Sequence, residues 1–123
     1  MEPCASQPSW YHLDNAAMMY SAIQRGNYSA LYRFSAVMTD PVDPQCLQRA
    51  IDKTLPRFPG FQVKIRRGFF WYYFERDDGP GPVLQRDIRN PCQPVRFQNH
   101  DKLIRFFYYE KRISMEVFHA LAD

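Results

Sequence analysis

The chain has 123 residues, 46% of them hydrophobic and 16% aromatic, which suits one domain able to fill one core. Its net charge of +3 is too small to argue for nucleic acid by itself. Cys4, Cys46 and Cys92 are odd in number, widely spaced and without a Cys-x-x-Cys pair, which excludes the usual zinc spacing and favours reduced thiols over a disulfide framework.

Residues 1–9 read as a leader, with no basic region followed by an apolar run and hence no signal peptide. Residues 10–123 read as one unit. Asp14 or Asn15 can cap a short helix through Ala16, Ala17 and Met18, and Gly26-Asn27 closes that segment. Tyr28–Thr39 alternates, with Tyr28, Ala30, Tyr32, Phe34, Ala36 and Met38 forming an apolar strand face. Asp43 and Pro44 then announce a helix, Asp43 as its cap and Pro44 at the first helical position. Leu47, Ala50, Ile51, Thr54, Leu55 and Phe58 recur at helical spacing, and the helix is expected over about Pro44–Leu55, closed by Pro56 and Pro59.

Phe61–Arg67 reads as a strand, Arg67-Gly68 as a tight turn, and Phe69–Arg76 as the return strand. Phe69–Phe74 is the longest apolar or aromatic run, far short of a membrane span and suited to a central strand covered on both sides. Asp77–Pro82 is a turn, Val83–Asp87 a short strand, and Asn90–Asp101 an irregular surface loop. Leu103–Tyr109 and Ile113–His119 form a hairpin around the charged turn at Glu110–Arg112. The class is α+β, a mostly antiparallel or mixed sheet with helices packed on it. Absence of a signal peptide and of a membrane span makes the cytoplasm the expected location.

The last segment carries the candidate chemistry. Ile113, Met115, Val117 and His119 share one strand face, and Ser114, Glu116 and Phe118 the other. An imidazole at the end of an apolar strand face is either a buried structural group or a reactive one. Asp123 follows four residues later.

Ile113-Ser-Met-Glu-Val-Phe-His119-Ala-Leu-Ala-Asp123 resembles the His-x-x-x-Asp motif of the chloramphenicol acetyltransferase-like superfamily. That superfamily includes alcohol acetyltransferases and the condensation domains of peptide synthetases. The supporting segments are Trp10–Ala17, Pro41-Val-Asp-Pro44, Arg57-Phe-Pro59 and Arg66-Arg-Gly-Phe-Phe-Trp-Tyr-Tyr73, in the expected order. Together they are most similar to the N-terminal half of bacterial alcohol acetyltransferase-like proteins. Phe118 stands where condensation domains often have a second His, as in the acyltransferase branches.

The resemblance implies a two-half enzyme with its active site in a tunnel between the halves. This chain corresponds to the first half, and the C-terminal half is absent. It also implies that His119 is the general base, taking a proton from a small alcohol or amine acceptor as that group attacks an acyl thioester. The thioester is acetyl-CoA or another acyl-CoA, or an acyl group on a carrier arm; it is a co-substrate, and no permanently bound cofactor or metal is implied. Asp123 is structural in the family, pairing with an arginine to fix the His119 loop, and Arg33 is one candidate for that arginine. Trp71, Tyr72 and Tyr73 serve either core packing or the tunnel lining.

Two other classes are weighed beside this. One is a non-catalytic, truncated interaction module. The other is a single-stranded nucleic-acid binder, suggested by Lys64, Arg66, Arg67 and Arg76 near Phe69–Phe74. The continuity of the aromatics and the acidic Asp77-Asp78 argue against it, and the expectation is no nucleic acid.

Overall fold

The computed structural model describes residues 10–12, 30–69, 72–95 and 101–122, with Trp10–His12 and Arg67 described by their backbone only. The expected leader, the short helix after Asp14 and the position of Asp123 lie outside the described residues. The class is α+β, with one α-helix among the described residues and seven strands in two sheets.

The helix, α1 (Pro44–Thr54), begins as its sequence dictates. The Asp43 carboxylate accepts from the backbone N–H groups of Gln45 at 2.9 Å and Cys46 at 3.3 Å, satisfying two amides that an α-helix start leaves open. Lys53 sits in the last turn, where a cation suits the helix dipole. Two short 3₁₀ turns, Leu55–Arg57 and Pro59–Phe61, follow and use up Phe61, so the next strand starts at Val63.

The strands are β1 (Trp10–His12), β2 (Leu31–Val37), β3 (Val63–Arg67), β4 (Tyr72–Arg76), β5 (Gln85–Arg86), β6 (Ile104–Tyr109) and β7 (Arg112–Phe118). One sheet has the order β1-β4-β3, antiparallel throughout. The other has the order β2-β7-β6-β5, antiparallel except for the parallel β5–β6 pair. The sequence leads to a single sheet; the structure divides it. The β3–β4 hairpin pairs with β1, while β2 reaches across the sequence to β7.

The central position expected for β4 holds, between β1 and β3. Its start does not: β4 begins at Tyr72, and Phe69 is fully exposed. The β6–β7 turn is tighter than its charges suggest. Tyr109 already faces Arg112, and Glu110 takes φ 50°, the left-handed backbone that a two-residue hairpin loop can require at its first position.

The four-stranded sheet is covered on both faces near its middle. On one face Ile51 and Leu55 of the α1 segment pack with Ile104 and Val117. On the other, Leu31, Leu103 and Phe118 pack with Val63, Ile65 and Phe74 of the three-stranded sheet. Burying each such side chain contributes about 1.5–3 kcal/mol. Gln48 ties the 82–84 segment to the helix, donating to the Pro82 carbonyl at 3.2 Å and accepting from the Leu84 N–H at 2.7 Å.

The apolar face expected along β2 is buried only at its start. Ala30 is buried and Tyr32 half-buried, but Phe34 is 61% exposed, and Ala36 and Met38 are exposed too. Alternation assigns a side chain to a face; it does not say that the face is covered, and β2 lies at the sheet edge. No helix among the described residues is long and apolar enough to cross a membrane.

Candidate functional site

His119 follows β7 directly, so its position is set by a strand held on both sides. Its N–H donates to the Ala30 carbonyl at 2.8 Å, extending the β2–β7 ladder by one residue. The chain then turns, with the Leu121 N–H donating to the Phe118 carbonyl at 2.8 Å. Leu121 packs against both core clusters and Ala122 against the helix-side one. His119 therefore stands at the seam of the two cores, anchored before and after.

The imidazole is half-buried and lies against the Tyr32 ring, centroids 4.6 Å apart and planes inclined at 51°. Tyr32 in turn meets Phe34 edge-on at 5.3 Å. An aromatic floor with one side toward solvent keeps the ring oriented while leaving a path for a proton donor. Asp123 lies outside the described residues, so its relation to His119 is not part of this geometry.

The opposite face of the same strands carries a second constellation. Glu116, 1% exposed, accepts from Arg33 Nε at 3.1 Å, from Arg33 Nη2 at 2.9 Å and from the Cys92 N–H at 2.6 Å. Arg105 Nη1 stands 3.8 Å from its other oxygen. Arg33 also holds Asp87, at 2.7 Å through Nη1 and 3.3 Å through Nη2, and Arg112 reaches Asp87 at 3.0 Å. Behind it, Ser35 and Ser114 share a hydrogen bond at 2.8 Å. The network borders an open cleft of about 330 Å³ that Arg89, Gln93 and Lys102 also line.

Electrostatics there favour the charged forms. The hydrogen bond from Arg33 is the largest influence on Asp87 and, against the opposing effect of burial, holds its carboxyl below the ordinary value; the charges of Arg33 and Arg112 act in the same direction. Burial works to lower the Arg33 guanidinium, but its bonds to Asp87 and Glu116 outweigh that and raise it. Cys92 takes φ 54° to present its N–H to Glu116, and burial, then the Glu116 charge, pushes its thiol up. A thiol held protonated is a poor nucleophile. The network is a strut joining β2, β7 and the segment from Asp87 to Cys92. Its carboxylates are engaged by Arg33, Arg105 and Arg112.

Arg33, a candidate partner for Asp123 from its place on the strand, thus has Nε and both terminal nitrogens engaged by Asp87 and Glu116. Sequence reading did not find this network. The available signal was Glu116 itself, a carboxylate between Ser114 and Phe118 on a strand with apolar neighbours, which needs a cation if that face is covered.

Among the described side chains around the aromatic hairpin, Lys64, Arg66 and Arg76 are paired with acids. Glu75 takes Arg66 at 2.7 Å and Lys64 at 3.5 Å, and Arg76 pairs with Asp78 at 2.7 Å. Tyr72 and Tyr73 are half-buried and pack on the core, as core packing requires; Trp71 lies outside the described residues. No cluster of His, Cys, Asp and Glu suited to a metal ion occurs among the described residues. Compared with known proteins, the chain matches no family model and no curated sequence.

Proposed function

We propose that the chain is the N-terminal half of an acyl-CoA-dependent O-acyltransferase of the chloramphenicol acetyltransferase-like kind, acting in the cytoplasm with His119 as general base. One observation carries the reading: the His of the His-x-x-x-Asp motif ends a doubly paired strand, half-buried on the Tyr32 ring, at the seam of two cores. The resemblance of the segments preceding it adds the reaction class.

On this reading His119 accepts the proton of an alcohol or amine as its oxygen or nitrogen attacks the thioester carbonyl. The proton returns to the departing thiolate as the acyl–sulfur bond breaks. An imidazole can take that proton from the acceptor and hand it on to the leaving group. Asp123 supports the loop after His119 rather than touching substrate. The acyl-CoA and acceptor sit between this half and a second one, so the 123-residue chain by itself is inactive.

The test is thiol release from acetyl-CoA with simple alcohols as acceptors, for the chain alone and for the chain joined to a second half. The proposal predicts alcohol-dependent release only from the joined protein. Release by the 123-residue chain alone would contradict the two-half architecture.

A further inference from the structure

Among the described residues, one backbone edge of strand β2 has no paired strand. The His119 N–H bonds the Ala30 carbonyl and the Met38 N–H bonds the Lys111 carbonyl. In an antiparallel ladder hydrogen-bonded pairs recur at every second residue. The even-numbered residues of β2 therefore bond to β7, and the N–H and C=O groups of Leu31, Arg33, Ser35 and Val37 point away from it. Nothing among the described residues pairs with that edge.

Exposed sheet edges are normally protected by lysine, proline, a bulge or a charge that a second strand would have to bury. Leu31-Tyr-Arg-Phe-Ser-Ala-Val37 has no lysine or proline, and its register with β7 runs without a bulge. Its one charge, Arg33, is turned to Asp87 and Glu116 and neutralised there. The edge also carries exposed apolar surface, Phe34 at 61% and Val37 at 78%.

We propose that this edge binds the same edge of a second copy of the chain, β2 against β2′ antiparallel about a two-fold axis at Phe34. In that register Arg33 faces Ser35′ and Leu31 faces Val37′, each a pair whose outward N–H and C=O groups meet. Phe34 faces Phe34′ in the closer, non-hydrogen-bonded position, and Tyr32 faces the small Ala36′. No like charges oppose each other. The two four-stranded sheets become one of eight strands, and the Tyr32–Phe34 edge contact doubles into a cluster of four rings. The inference does not rest on the acyl-transfer reading.

The experiment is sedimentation equilibrium of the 123-residue chain at micromolar concentration, beside Phe34→Lys. The expected result is a dimer for the wild type and a monomer with an unchanged circular dichroism spectrum for the variant. A second variant reads the register directly. Phe34→Cys, in a background with Cys4 and Cys46 replaced by serine, is treated with oxidised glutathione. At a non-hydrogen-bonded antiparallel pair the Cα atoms are about 4.5 Å apart, within the span of a disulfide, so a covalent dimer is expected. Val37→Cys in the same background, facing Leu31′ rather than itself, should give none. A monomeric wild type overturns the proposal and leaves the edge to a strand from some other segment. A dimer that survives Phe34→Lys, or that fails to cross-link at position 34, overturns it as well.

Discussion

Removing Arg33 tests whether the polar strut holds the four-stranded sheet together. In Arg33→Met the alkyl stem is kept while four hydrogen bonds to Asp87 and Glu116 disappear. The carboxylates left behind are 6% and 1% exposed. Arg105 is 3.8 Å away from one and Arg112 3.0 Å from the other, so neither is stranded alone, but neither regains the two-carboxylate fork. Removing one partner of a buried ion pair costs about 3–5 kcal/mol, a large share of the ~5–15 kcal/mol by which a domain is stable. Urea unfolding followed by circular dichroism reads it. With a slope of roughly 2 kcal/mol per molar, the midpoint should fall by about 2 M. Arg33→Lys should fall between, because an ammonium cannot bridge both carboxylates as the planar fork does. Replacing Arg33, Asp87 and Glu116 together with apolar residues should cost less than Arg33→Met alone, since no carboxylate is then left buried and Arg105 keeps its bond to the Gln93 carbonyl at 2.9 Å. A loss under about 1 kcal/mol for Arg33→Met would refute the reasoning, because that is the scale of an exposed surface pair.

Acid should destabilise the fold from the carboxylate side. Asp87 is lowered chiefly by its bond from Arg33; for Asp77, burial opposes but the bond from Lys102 and that from the Gly79 N–H leave it lowered too. A group whose folded pKa is depressed contributes stability that is full above its unfolded value, near 4, and lost as pH falls through the folded one. Stability measured by circular dichroism should therefore hold from neutrality to about pH 5 and decline below it, and the part due to Asp87 should shrink in Arg33→Met, where only Arg112 is left to hold that carboxyl down. Phe118→Ala should cost about 3–5 kcal/mol in the same urea assay, because Phe118 is fully buried between the sheets.

Local signals carried far in this chain. Asp43-Pro44 placed the helix start, and period-two alternation found β2, β6 and β7 within a few residues. It also put His119 on the face of Val117, opposite Glu116. What it left open was pairing. Strand partners are chosen by contacts far apart in sequence, and nothing in Phe61–Arg76 alone says that this hairpin forms a sheet separate from β2, β6 and β7. The short β1 had no pattern long enough to recognise at three residues. The exposed run Phe34–Met38 went unread for the same reason, because alternation describes a strand and not its neighbours. Around His119, the motif was visible but the Tyr32 floor was not, since Tyr32 arrives from a strand 87 positions earlier in the chain. The Arg33–Glu116–Asp87 strut likewise joins residues 54 and 83 positions apart.

The proposed role of His119 is tested most directly by steady-state thiol release from acetyl-CoA by the protein joined to its second half, with His119 and with His119→Ala. The predicted result is a fall in alcohol-dependent turnover of about two to four orders of magnitude, with the urea midpoint little changed because the imidazole is only half-buried. Near-normal turnover in the alanine variant would contradict the assignment of His119 as the base.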